Sequence, residues 1–209
     1  MIAKFASGLR KLTNKILWRA GWGLISVDEH PIMIHVFTTV QMLGRRFPNG
    51  VTCVETGTIR SVEERHFGTY HMARAAGSNG TVLSVDRERR AIEVSKRVCR
   101  GLRNIQWFEQ DSLSFIDGLE DNSVHFALLD SVNDPAHIFA EYQRILPKMH
   151  PRGVIIVDDA GIAIGGELVD DSVAAKKGHD VWKHLTAEGK EFEVLMTPFG
   201  HGTQLRIQL

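Results

Sequence analysis

Short apolar, β-branched runs alternate with segments of helical period from residue 51 onward. The strand-like runs are Val51–Val54, Thr81–Val85, Asn104–Phe108, Val124–Leu129 and Gly153–Val157. Each is too short for a helix and apolar enough for a strand buried on both faces. Between them lie helical stretches. One holds Ala73, Ala75 and Ala76, and Arg87–Leu102 carries Ala91, Val94, Val98 and Leu102 on one side. Ser112–Leu119 is a third, and Pro135–Leu146 a fourth, with Ile138, Phe139, Tyr142 and Ile145 in register. Leu168–Thr186 predicts a last helix, interrupted or delayed by Gly178. Phe192–Met196 and Gln204–Leu209 predict an antiparallel hairpin around Pro198–Gly202. Strand–helix alternation of this kind predicts an α/β fold: a doubly wound, mostly parallel sheet with helices on both faces and a C-terminal antiparallel hairpin.

The first 50 residues read differently. Ile2, Phe5, Leu9, Leu12 and Ile16 recur at spacings of three and four, with Lys4, Arg10, Lys11, Lys15 and Arg19 between them. That is an amphipathic helix with a basic outer face. It suits packing on the domain, a homodimer interface with a second copy, or a membrane surface. After a break at Gly21 and Gly23, Asp28-Glu29-His30-Pro31 reads as a second helix start, running past Phe37 and Leu43 to Phe47-Pro48. The expected division is a helical segment, 1–50, serving as cap or interface, and an α/β domain, 51–209.

Composition narrows the partners. Lysine plus arginine and aspartate plus glutamate balance at 25 each. No arginine-rich stripe appears, which speaks against nucleic acid. No apolar run approaches the roughly 20 residues of a membrane span. Cys53 and Cys99 lack metal-ligand spacing and read as buried, reduced thiols, the expectation for a cytoplasmic protein.

The candidate chemistry sits at strand ends. Glu55, Asp86, Asp130 and Asp158 close four of the five parallel strands, and Asp111 follows the remaining one. Any one of them could be a helix cap. Four on one carboxyl edge imply a polar, ligand-binding crevice. G-x-G-x-x-G is absent after the first strand, and so is a phosphate-binding P-loop.

Val51 to Asp86 resembles the cofactor-binding half of class I S-adenosylmethionine-dependent methyltransferases, which share a Rossmann-like sheet. Glu55-Thr56-Gly57-Thr58 matches the acid and glycine loop after their first strand, and Asp86 matches the ribose-binding acid after their second. The resemblance implies that Glu55, Gly57 and Thr58 hold the methionine end. It places Asp86 on the ribose and Asp111 on the adenine amine, with Asp111 also suited to cap the next helix. The likeness is nearest to small-molecule O-methyltransferases, including the cation-dependent type. In those, an Asp after strand four and an Asp-Asn or Asp-Asp pair after strand five bind Mg²⁺. Asp130, Asp158 and Asp159 stand at these positions, and hard oxygen ligands suit such an ion. Catalysis is implied at Asp130 and, three residues on, at Asn133, where the relatives carry a basic lysine. A neutral amide cannot remove a proton, so His66, His71, His137 and His201 are substitute bases, though each reads more readily as structural. The expected activity is methylation of a small-molecule hydroxyl with divalent-metal assistance. The alternatives are a metal-independent methyltransferase and a non-catalytic binding protein tethered by its basic N-terminal helix.

Overall fold

The computed structural model describes residues 33–61, 67–162, 176–196 and 203–209. The expected amphipathic helix at Met1–Ala20, the helix start at Asp28–Pro31, His66, His201 and the tip of the C-terminal hairpin lie outside these residues.

Among the described residues, seven strands form one sheet: β1 (Thr52–Thr56), β2 (Thr81–Asp86), β3 (Ile105–Glu109), β4 (Val124–Leu129), β5 (Met149–Val157), β6 (Glu193–Met196) and β7 (Thr203–Gln208). Their spatial order is β3-β2-β1-β4-β5-β7-β6. The first five are parallel, and β7 lies antiparallel between β5 and β6. The chain adds β2 and β3 on one side of β1, then crosses to lay β4 and β5 on the other. That reversal opens a crevice at the carboxyl ends of β1 and β4.

Among the described residues, six α-helices accompany the sheet: α1 (Ile34–Arg46), α2 (Gly68–Ala76), α3 (Arg89–Val98), α4 (Ser112–Asp117), α5 (Pro135–Ile145) and α6 (His179–Ala187). The two-residue period of the strands splits their side chains between two cores. Val54, Ala127, Leu129, Ile155 and Val157 face α4, α5 and α6, meeting Phe115, Ile138, Tyr142 and Leu185. Cys53, Phe126, Leu128, Val154 and Ile156 face α1 and α2, meeting Val36, Val40, Leu43 and Met72. A strand apolar on both sides is therefore a strand between two helical layers.

Two elements start at other residues than the sequence expectation. α3 begins at Arg89, two residues later than expected, because Asp86 Oδ1 accepts the Glu88 backbone N–H at 2.7 Å and holds Glu88 extended. β5 begins at Met149 instead of Gly153, with a register shift against β4 between Val124 and Phe126. α6 begins at His179, directly after Gly178, as expected of a helix interrupted or delayed there; residues 168–175 of the expected helix lie outside the described residues. Gly178 is wedged against the end of β5: a Cβ there would lie 3.0 Å from both Cα and Cβ of Ala160 and 3.3 Å from Leu205 Cδ1.

Ile156 is fully buried at the centre of the sheet, against the α1–α2 layer. Ile156→Ala should lower stability by about 2–5 kcal/mol through lost transfer energy and a residual cavity. The check is the urea midpoint followed by circular dichroism. A loss under about 1 kcal/mol would mean that this layer collapses around the gap.

Candidate functional site

The crevice is an open cleft lined by Gly57, Val85, Asp86, Gln110, Asp111 and His137, with Arg60, Arg87, Glu88 and Ser131 among its other walls. It sits where open α/β sheets bind ligands.

Gly57 makes the cleft possible. Its φ is +81°, and a Cβ would lie 2.6 Å from Ser131 Cα. The loop after β1 therefore turns back in the left-handed region while touching the chain leaving β4, a combination open only to glycine. Asp86 fixes the next stretch. Its Oδ2 accepts the Thr58 N–H at 2.9 Å and the Thr58 hydroxyl at 3.3 Å, while Oδ1 accepts the Glu88 N–H. Three donors use three of the roughly four lone-pair positions of a carboxylate, so about one remains for a ligand hydroxyl. Thr58 is thus a partner of Asp86, and it is not among the residues lining the cleft.

Asp111 caps α4, accepting the Ser114 N–H at 3.0 Å, and it also lines the cleft. That hydrogen bond holds its carboxyl below the usual range. Beside it lies His137, on the first turns of α5. Its Nε2 is 3.1 Å from Ser112 Oγ and 3.3 Å from Glu141 Oε1. The fully buried Glu141 also accepts the Thr56 hydroxyl at 2.8 Å. The Glu141 bond raises the His137 pKa. His137 thus lies on the same wall as Asp111. His71, by contrast, is buried under α1, edge-on to Phe37.

Glu55 sits away from the cleft. The pleat turns it to the α2 face, the face of Cys53, where it is 4% exposed. Its Oε2 accepts the Thr69 and Ser84 hydroxyls, the latter at 2.8 Å. Burial pushes its pKa up to about 8 against an ordinary 4.5. A contact between Glu55 and the methionine end of a cofactor is therefore not what this geometry provides. Glu55 instead ties β1 to β2 and to the start of α2, beneath the Gly57 loop.

Asp130, Asp158 and Asp159 do converge, with one oxygen of each within 4.8 Å of the others. The neighbouring strands β4 and β5 bring them together. A fourth group lies among them that the sequence reading did not anticipate. Lys177 Nζ is paired with Asp130 Oδ1 and is 3.1 Å from Asp159 Oδ2, with its side chain only 8% exposed. Asp158 is buried and accepts Gln204 Nε2 at 2.7 Å. Burial, then the two neighbouring carboxylates, push its pKa up to about 8. The three acids balance the cost of burying Lys177 and raise its pKa. The donor set has the oxygen chemistry of a Mg²⁺ site. A divalent ion, though, would bind at about 2.0–2.1 Å from oxygens that the ammonium already holds, and the two cations would repel. With Lys177 seated, the residues do not fit a divalent metal. Asn133 is exposed and outside both the cleft and the trio.

A family model described as a methyltransferase domain matches residues 67–160. Solved structures agree. The O-methyltransferase TomG from Streptomyces achromogenes, in complex with S-adenosylmethionine and involved in tomaymycin synthesis, aligns with a TM-score of 0.60 at 17% identity, over 88% of this chain and 81% of that one. A methyltransferase from Geobacter sulfurreducens aligns over 100% of this chain and 95% of that one, with a TM-score of 0.57 and 17% identity. The O-methyltransferase of Bacillus cereus, solved with S-adenosylhomocysteine, gives 0.58 at 15% identity over 84% and 81%. The fold is that of the class I methyltransferases. No curated protein sequence matches the chain. Among the described residues no helix is long and apolar enough to cross a membrane.

The buried acids set a pH dependence. In the folded chain Glu55 keeps its proton up to about pH 8, whereas its ordinary pKa is 4.5. Between those values the folded state holds more protons than the unfolded one, so stability falls as pH rises. Asp158 acts in the same direction. Glu55→Gln keeps the size and removes the titration. Its melting temperature should therefore fall less steeply than the parent's between pH 5 and pH 8. Parallel curves would mean that Glu55 is ionised in the fold.

Proposed function

We propose that the protein transfers a methyl group from S-adenosylmethionine to a hydroxyl oxygen of a small molecule. The observation that carries this is Asp86: a carboxylate at the end of β2, oriented by two backbone N–H groups, with lone-pair capacity turned to a cleft whose far wall holds Asp111. Ribose hydroxyls and an adenine amine need acceptors. The described cleft offers these at Asp86 and Asp111, and at the exposed Glu88. The acceptor class is suggested by the solved O-methyltransferases that share the fold.

When bound, S-adenosylmethionine supplies a methyl group on a positively charged sulfur. In the proposed reaction the acceptor oxygen forms a bond to that carbon, the carbon–sulfur bond breaks, and the hydroxyl proton leaves to solvent. S-adenosylhomocysteine and the methyl ether are the products. The chain's part is alignment, which can account for much of the rate in a displacement of this kind. Gly57 lets the β1 loop pass against Ser131 and so shapes the floor. Asp86 would fix the ribose, and Asp111 and His137 border the adenine end. The acidic edge also favours a cation over water.

Binding is the first test. S-adenosylhomocysteine titrated into the full chain by calorimetry should bind in the micromolar range, and Asp86→Ala should lose about 1.5–3 kcal/mol, roughly 10- to 150-fold in Kd. Gly57→Ala should abolish binding at comparable fold content, because it adds both strain and a clash with Ser131. Radiolabelled S-adenosylmethionine offered with a panel of small phenols and alcohols then tests transfer. Binding without transfer to any class would favour the reading as a non-catalytic binding protein. Unchanged affinity in Asp86→Ala would remove the cofactor from this cleft.

A further inference from the structure

We infer that Lys177 is the resident cation of the Asp130–Asp158–Asp159 trio, and that it takes the place a divalent metal would need. The ammonium pairs with Asp130 Oδ1 from the end of β4 and lies 3.1 Å from Asp159 Oδ2 beyond the end of β5. One side chain thus bridges the two strand ends that border the acceptor side of a class I fold.

The placement is built into the backbone. Lys177 immediately precedes Gly178, whose missing Cβ lets the chain lie against Ala160, the residue after Asp159. The carbonyl of Gly178 accepts the Trp182 N–H at 2.9 Å, starting α6, and Val181 and Leu185 anchor that helix in the core. His179 Nε2 lies 3.4 Å from the Gly161 carbonyl oxygen. The lysine therefore issues from a segment locked to the same loop that carries Asp159, one of its two carboxylate partners. Gln204, on β7, fixes the third acid through Asp158 Oδ1. Asp159 adopts a positive φ of 45°, a conformation that aspartate tolerates better than most residues. The cluster is thus assembled from the end of β4, the end of β5, β7 and the segment before α6, with the ammonium paired to Asp130 and Asp159.

Three carboxylates within 4.8 Å of one another repel unless a positive charge lies among them. The chain supplies that charge itself. Lys177 is a positioning residue in this account: it holds the β4 end, the β5 end and the start of α6 in one arrangement. The inference rests on the fold and the trio alone, so it survives failure of the proposed reaction, which cofactor titration tests separately.

The experiment uses Mn²⁺ alone as the probe, with the intact chain. Bound metal is measured by loss of the free-ion paramagnetic resonance signal, and stability by melting temperature. The parent protein should take up no stoichiometric Mn²⁺, and its melting temperature should not respond to the ion. Lys177→Ala removes the ammonium and leaves three carboxylates exposed to one another. It should bind one Mn²⁺ per chain, at least about tenfold tighter than the parent, and its melting temperature should rise with the ion. If Lys177→Ala is unfolded alone, Mn²⁺ should restore a cooperative melting transition. Lys177→Arg, which keeps the charge, should behave as the parent does. Lys177→Ala combined with Asp130→Asn should lose the acquired site, which places the ion on the trio. Stoichiometric Mn²⁺ binding by the parent, or none by a folded Lys177→Ala, would overturn the assignment.

Discussion

A row of acids along one sheet edge is the constraint that the rest of this structure answers. Parallel strands end together, so their terminal side chains cannot avoid one another, and the low-dielectric interior makes uncompensated charge costly. The chain meets that cost in several ways. Asp86 receives backbone N–H groups from Thr58 and Glu88. Asp111 receives the Ser114 N–H at the start of α4. Glu55 is surrounded by the Thr69 and Ser84 hydroxyls and holds its proton to about pH 8. Asp130 and Asp159 share Lys177, and Asp158 has Gln204. These compensations are also the connections between elements: β1 to β2, loop to strand, strand to the start of α6.

Much of the architecture was legible because it rests on periodicity. The two-residue alternation of Cys53, Phe126, Leu128 and Ile156 against Val54, Ala127, Leu129 and Val157 is a direct consequence of burial on both faces. Gly57 was legible too, since a glycine directly after a buried strand and before a polar loop has few other uses. The acids were correctly placed on one edge. Their individual directions were not, because sequence fixes which residue ends a strand but not which way the last pleat turns. Glu55 falls one residue inside the end of β1 and so points into the α2 layer, while Asp86, the last residue of β2, reaches the cleft.

Lys177 was missed for a different reason. It lies 47 residues from Asp130 in sequence and belongs to no strand or helix of its own. The resemblance points to a lysine acting as base three residues after Asp130, a position where Asn133 stands exposed. The usable signal was indirect. Three acids at the ends of adjacent strands demand a cation, and Gly178 before a core-facing helix marks a tight backbone passage nearby. Together they narrow the source to the residues flanking that glycine, though not to a specific one.

The two halves of the edge are therefore built from different materials. On the β1–β2–β3 side the acids are held largely by backbone N–H groups and hydroxyls, which orient a carboxylate without cancelling its charge. Asp86 and Asp111 stay available to a ligand with donors to offer, as a ribose and an adenine amine have. On the β4–β5 side the compensation is a full positive charge on a buried side chain. It neutralises one of the carboxylates it touches and stiffens the loops that carry them. A ligand there meets a surface whose charge is already partly satisfied, and its recognition must depend more on shape than on a strong field. The same sequence feature, an aspartate after an apolar strand, thus has opposite consequences on the two sides. What decides between them is the donor that the next element brings.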